Sequence, residues 1–164
     1  MLFYCPNCWK ELPGAREICP NCAQRISSWN EKAFTEKLIQ ALSHPEPETP
    51  ARAVYILGEK KTAEAVGPLA RLFRRSRDPF LQSEIMEAMG KIGGEEALAL
   101  LMEALRHPSF IVRGEAVKAL SRFPGNGGLK RALEQSLKDP SSYVQEIGRE
   151  AIGRLRALSL VKGD

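Results

Sequence analysis

From Ser28 onward, apolar residues recur three and four positions apart, the period of a helix with one buried face. The pattern opens on Ser28-Trp29-Asn30-Glu31, which reads as a capping box with Ser28 as N-cap. It predicts a helix to about Ser43, with Phe34, Leu38 and Leu42 on its apolar stripe. A break follows at His44-Pro45. Breaks of the same kind stand at Asp78-Pro79, His107-Pro108 and Asp139-Pro140, at nearly equal intervals along the chain. A second marker keeps the same phase: Leu57-Gly58, Met89-Gly90, Leu120-Ser121 and Ile152-Gly153 are spaced still more evenly. Two independent markers with one period mean a repeat.

A period of roughly 32 residues with two helices per unit predicts a solenoid, because each unit can bury its apolar face only against its neighbours. First helices are expected near 50–58, 79–91, 109–121 and 141–157. Second helices are expected near 63–75, 95–106 and 128–138, with 29–43 as the second helix of an incomplete opening unit. Pro79, Pro108 and Pro140 suit a first helical turn, where a missing N–H costs nothing; Gly58, Gly93-Gly94 and Gly125 to Gly128 suit the bends between helices. Residues 105–121, Leu-Arg-His-Pro-Ser-Phe-Ile-Val-Arg-Gly-Glu-Ala-Val-Lys-Ala-Leu-Ser, resemble the short HEAT-like repeats first associated with phycobilin lyases, and the resemblance covers roughly 44–157. It implies an Arg after the Val of the first helix, paired with the Asp of a D-P turn. Arg113 matches that Arg, whereas Pro50, Gln82 and Gln145 occupy the aligned positions. The fold class expected is mostly α: a right-handed α-solenoid of HEAT-like helix pairs with a small N-terminal β-hairpin zinc ribbon.

Before Ser28 the pattern is different. All four cysteines fall in this short stretch, as Cys5-Pro6-Asn7-Cys8 and Cys19-Pro20-Asn21-Cys22, and the chain beyond Cys22 carries no thiol. A C-x2-C turn lets two sulfurs reach one ion, and ten intervening residues allow a hairpin to bring the second turn back. Four thiolates leave no open position for an activated water, so one structural Zn2+ on Cys5, Cys8, Cys19 and Cys22 is expected, with iron as a minor alternative. So short a module folds on metal binding, around a miniature core expected from Phe3, Tyr4, Trp9, Leu12 and Ile18. The stretch resembles the short zinc ribbons at the ends of many bacterial and archaeal proteins. That family often has Gly after each second cysteine, where Trp9 and Ala23 stand here. The division expected is a ribbon over 1–27 and helical repeats over 28–164, with Ile26 and Trp29 packing one against the other.

Composition changes this picture little. The 164 residues carry 24 Lys and Arg against 20 Asp and Glu, a net charge of +4 that permits nucleic-acid binding without requiring it. No apolar run is long enough to span a bilayer, and no charged-then-apolar leader precedes Cys5, so a cytoplasmic, reducing compartment is expected. His44 and His107 occupy equivalent turn positions and read as structural markers. No nucleophile motif, phosphate loop or catalytic-zinc motif occurs, so no catalytic or cofactor-binding residue is assigned and no enzyme activity is expected. The leading expectation is a scaffold that binds a protein partner through the second-helix, concave face. Arg71, Arg74, Arg75, Lys130 and Arg131 are its candidate contacts, suited to an acidic stretch. The alternative is a nucleic-acid module using Lys10, Arg16 and Arg25 of the ribbon with the Arg71 to Arg77 cluster.

Overall fold

The computed structural model describes residues 3–123 and 127–161; Gly125 of the predicted glycine-rich bend lies outside them. The amino-terminal module is a hairpin of β1 (Phe3–Tyr4) and β2 (Glu11–Leu12), antiparallel with Phe3 opposite Leu12. A second loop closes through an isolated bridge between Ile18 and Arg25. Its core is Cys5, Leu12 and Cys19, flanked by Cys8, Cys22 and Ile26. The expected miniature core is therefore corrected: Phe3, Tyr4 and Ile18 are exposed, because the sulfurs themselves occupy the centre that apolar side chains would otherwise fill.

The rest is helical: α1 (Ser28–Glu31), α2 (Phe34–Ala41), α3 (Glu48–Glu59), α4 (Val66–Arg75) entered through a 3-10 turn at Ala63–Ala65, and α5 (Pro79–Ile92). Then come α6 (Glu95–Ala104), α7 (Phe110–Leu120), α8 (Gly127–Ser136) and α9 (Ser142–Val161). One core runs from Leu38 and Leu42 at one end, through Leu57, Met89 and Leu120, to Val144 and Ala151 at the other. Full burial of such a side chain contributes about 1.5–3 kcal/mol. Each helix pair lacks a core of its own, so the array is cooperative between neighbours. Among the described residues, no helix is long and apolar enough to cross a membrane.

The first helices α3, α5, α7 and α9 form a continuous row. Small residues set its spacing. A Cβ added at Gly58 would lie 2.9 Å from Ala88 Cα and Cβ, and one added at Gly90 would lie 2.8 Å from Ala119 Cβ. Gly58 is thus not a bend, as its place in the repeat suggested. It lies inside α3 and lets the next first helix come close. Gly93 and Gly94 do form a bend, with φ of 78° and 89°.

The turns correct two further expectations. Pro79 occupies the first position of α5, but Pro108 and Pro140 precede α7 and α9 by two residues, leaving Ser109 as the N-cap of α7. The predicted helix over 29–43 is broken between α1 and α2, where Lys32 and Ala33 are extended with ψ of 142° and 152°. Ser28 does not cap it; its hydroxyl donates to Arg25 O at 2.6 Å. The break frees Lys32 Nζ to donate to Asn7 Oδ1 at 2.9 Å and to Gln40 Oε1 at 2.6 Å, a tertiary tie that overrides the local helical signal.

Candidate metal centre and interaction surface

The two Cys-Pro-Asn-Cys turns fold alike. Cys5 N donates to Lys10 O and Trp9 N to Cys5 O; Cys19 N donates to Gln24 O and Ala23 N to Cys19 O, all between 2.8 and 3.0 Å. These bonds require left-handed backbone at the residue after each second cysteine, and Trp9 and Ala23 adopt it without glycine, at φ 59° and 56°. Asn7 N and Asn21 N each point at the first sulfur of their turn, at 3.4 Å. Such amides favour thiolate over thiol.

All four sulfurs lie within 4.8 Å of one another, with Cys5 Sγ to Cys22 Sγ at 3.8 Å and Cys8 Sγ to Cys19 Sγ at 3.7 Å. A tetrahedron with metal–sulfur bonds of about 2.3 Å has edges of about 3.8 Å, so the residues fit a four-thiolate ion. The electrostatics divide the set. Burial pushes the Cys8 thiol up to about 12, whereas at Cys19 burial is outweighed by the amides of Cys22 and Asn21, which bring it down to about 6. Cys5 and Cys19 are fully buried.

The ribbon is bound to the helices by groups that no sequence motif singled out. Gln40 of α2 donates through Nε2 to Pro6 O at 3.2 Å and to Asn7 O, and its own carbonyl accepts from Trp9 Nε1 at 3.3 Å. Trp9 packs edge-on against Trp29 at 5.5 Å and against the His44 ring at 4.4 Å. Nothing in the helical periodicity separates Gln40 from an ordinary exposed glutamine. Of the two packing residues expected at the junction, Trp29 contributes, while Ile26 belongs to the ribbon's own core.

Both histidines do turn chemistry. His44 Nδ1 accepts from Glu46 N at 3.0 Å and His107 Nδ1 from Ser109 N at 3.1 Å, as Asp78 Oδ1 accepts from Phe80 N at 2.9 Å and Asp139 Oδ1 from Ser141 N at 2.8 Å. Burial, with Arg113 nearby, holds His107 below its ordinary pKa, which keeps Nδ1 available as an acceptor. The Arg implied by the resemblance behaves as expected: Arg113 makes a bidentate pair with Asp139 at 2.8 and 2.9 Å. It also donates to His107 O and Pro108 O. Gln82 donates to Phe73 O and Ser76 O, and Gln145 to Asp139 O, so the two glutamines at this repeat position brace their turns in the same way, whereas Pro50 has no side-chain donor to do so.

The candidate surface cations do not form one free cluster. Arg74 pairs with Glu103 at 2.9 Å, tying α4 to α6, and Arg75 donates to Leu42 O and Ser43 Oγ at the end of α2. Arg71 of α4, with Lys130 and Arg131 of α8, is exposed. Between α6 and α8 a cleft of about 390 Å³ opens over α7, with Arg106, Arg131 and Lys138 among its lining residues. Arg106 and Lys138 were not among the expected contacts. The signal was their repeat position, one residue before His107 and Asp139, as Arg77 stands before Asp78.

Residues 35–121 match the family described as HEAT repeats. The chain belongs to the HEAT-repeat family. Among solved structures it is similar to a chain of "the complex of CpcE and CpcF of phycocyanin lyase from Nostoc sp. PCC7120". The likeness has a TM-score of 0.55 at 18% identity and covers 90% of this chain and 72% of that one. No curated protein matches the chain. At that identity the likeness establishes the HEAT fold. It also corrects the expectation that the chain is not an enzyme, because the same solenoid occurs in a complex named as a lyase. The missing motifs therefore do not decide whether this HEAT protein has an activity.

Proposed function

We propose that the protein is a macromolecular-interaction scaffold, a HEAT solenoid over 28–164 headed by a structural zinc ribbon over 1–27, which holds a protein partner on its second-helix face. The observation that carries this reading is the contrast between two sets of charges. The thiolate set is closed and braced against α2, as suits a folding element. The second helices bury one face in the shared core, through Leu69, Leu101 and Leu133, and present exposed Arg71, Lys130 and Arg131 on a rigid array. Zinc is favoured for the ribbon because four thiolates at tetrahedral spacing suit it, and the ion would hold the two turns together with no role in chemistry.

Two measurements test the proposal. Metal analysis of protein purified without added metal should give one zinc per chain; stoichiometric iron would refute the assignment. Affinity capture from the source cells should return a protein partner that is lost when Arg71→Glu and Arg131→Glu are combined. Capture of the same partner by that variant would place recognition on another face, and recovery of nucleic acid in a salt-sensitive complex would replace the protein partner with the alternative ligand.

A further inference from the structure

We infer that the cleft between α6 and α8 is the place where the scaffold takes its partner, and that the partner segment carries a carboxylate beside an apolar side chain. The inference rests on the scaffold reading and makes it specific. Its first ground is the break in the pairing of second helices. Arg74 and Glu103 bridge α4 to α6, but among the described residues no ion pair bridges α6 to α8, and the space between them is the cleft of about 390 Å³.

The second ground is charge. Arg106, Arg113, Arg131 and Lys138 line the cleft against the single carboxylate of Asp139, which Arg113 already holds with two hydrogen bonds. No ion pair is formed by Arg106, Arg131 or Lys138 among the described residues, and all three are exposed. Three unpaired cations lining one open cleft repel, and an incoming carboxylate relieves that repulsion.

The third ground is the floor. Val117 and Val144 are buried beneath the cations, and Met102 stands 37% exposed at the wall. A bare anion would leave Met102 and the half-buried Leu105, above this floor, wet, whereas a peptide with a leucine-sized residue next to its acid would cover them. Methionine's flexible thioether suits it to adapt to such a side chain.

The test uses the full zinc-loaded chain and fluorescein-labelled octapeptides: alternating Glu and Leu, all Glu, and alternating Lys and Leu. The Glu-Leu peptide should bind, the Lys-Leu peptide should not, and the all-Glu peptide should bind roughly tenfold more weakly for want of the apolar contact. Arg106→Ala and Arg131→Ala should each weaken Glu-Leu binding roughly tenfold, and Arg52→Ala, on the remote α3, should leave it unchanged. Both arginines are exposed, so folding is retained; amide hydrogen exchange should show peptide protection confined to 102–106 and 131–138. Equal binding by the all-Glu peptide, or no effect of either arginine variant, overturns the inference. If the wild-type chain captures its partner but ignores the Glu-Leu peptide, the cleft assignment fails and the scaffold reading stands. If it captures nothing, the scaffold reading fails as well.

Discussion

Replacing Arg113 by glutamine isolates the one charged rung of the turn ladder. The wild-type guanidinium is 13% exposed and its partner Asp139 is 11% exposed, so the pair is only lightly screened by solvent. Gln82 shows what glutamine does at this position: it keeps the two backbone carbonyls of the preceding turn satisfied. Arg113→Gln therefore retains the carbonyl bonds and loses the two charge-assisted bonds to Asp139, leaving that carboxylate poorly solvated. At about 1.5 kcal/mol for each lost bond, the cost is about 3 kcal/mol in denaturant unfolding. Adding Asp139→Asn removes the stranded charge, and the double variant should recover at least about 1 kcal/mol relative to the sum of the single changes. The acid limb of stability gives the same answer independently. The Arg113 hydrogen bonds hold Asp139 below the usual carboxylate range. Its stabilising contribution is thus complete above the unfolded value of about 3.9 and is lost as pH falls through the lower folded value. Arg113→Gln should flatten that limb. A cost under about 0.5 kcal/mol with an unchanged acid limb would show that the pair behaves as an exposed surface bridge and refute the reasoning.

Three other outcomes follow from the same contacts. Gly90→Ala should destabilise the chain by about 1–3 kcal/mol, measured in denaturant, because the added Cβ meets the Cα as well as the Cβ of Ala119 and backbone cannot step aside. Gln40→Ala should cost about 1 kcal/mol and speed proteolysis around Lys32, since the hydrogen bonds to Pro6 O and Asn7 O are lost. On the zinc assignment proposed above, Cys19→Ser should abolish stoichiometric metal binding by elemental analysis while the far-ultraviolet helical signal persists.

What could be read from the residues follows from how locally each feature is encoded. Paired cysteines fix their ligand set by spacing alone, and the Pro and Gly markers of the repeat fix the phase of α3 to α9, because each marks a backbone constraint within a few residues. Arg113 was legible through the HEAT-like resemblance, which implies an Arg there paired with the Asp of a D-P turn. Gln40 was not, because its partners Pro6 and Asn7 lie far back in the chain and no periodicity links ribbon to helix. The helix break at Lys32 is concealed likewise: the capping pattern at Ser28 is a valid local signal, and a lysine reaching into the ribbon overrides it. Gly58 was misassigned because a glycine between helices and a glycine at a close helix crossing look identical until the neighbouring helix is known.

The route by which Gln40 joins ribbon to solenoid determines how far loss of the metal is felt. The ion would fix Cys5 and Cys8, and the turn between them presents Pro6 O and Asn7 O to Gln40. Gln40 sits in α2 between Leu38 and Leu42, which are buried in the shared helical core. A repeat array is stabilised mainly by nearest neighbours, so a perturbation entering at α2 should fall off along the chain. On the zinc assignment proposed above, stripping the metal with a chelator should therefore raise amide exchange strongly in the ribbon and α2, weakly in α3, and not at all in α7 to α9. Uniform loosening would mean that the ribbon acts through global stability, and no change at α2 would mean that its hydrogen bonds do not carry the coupling.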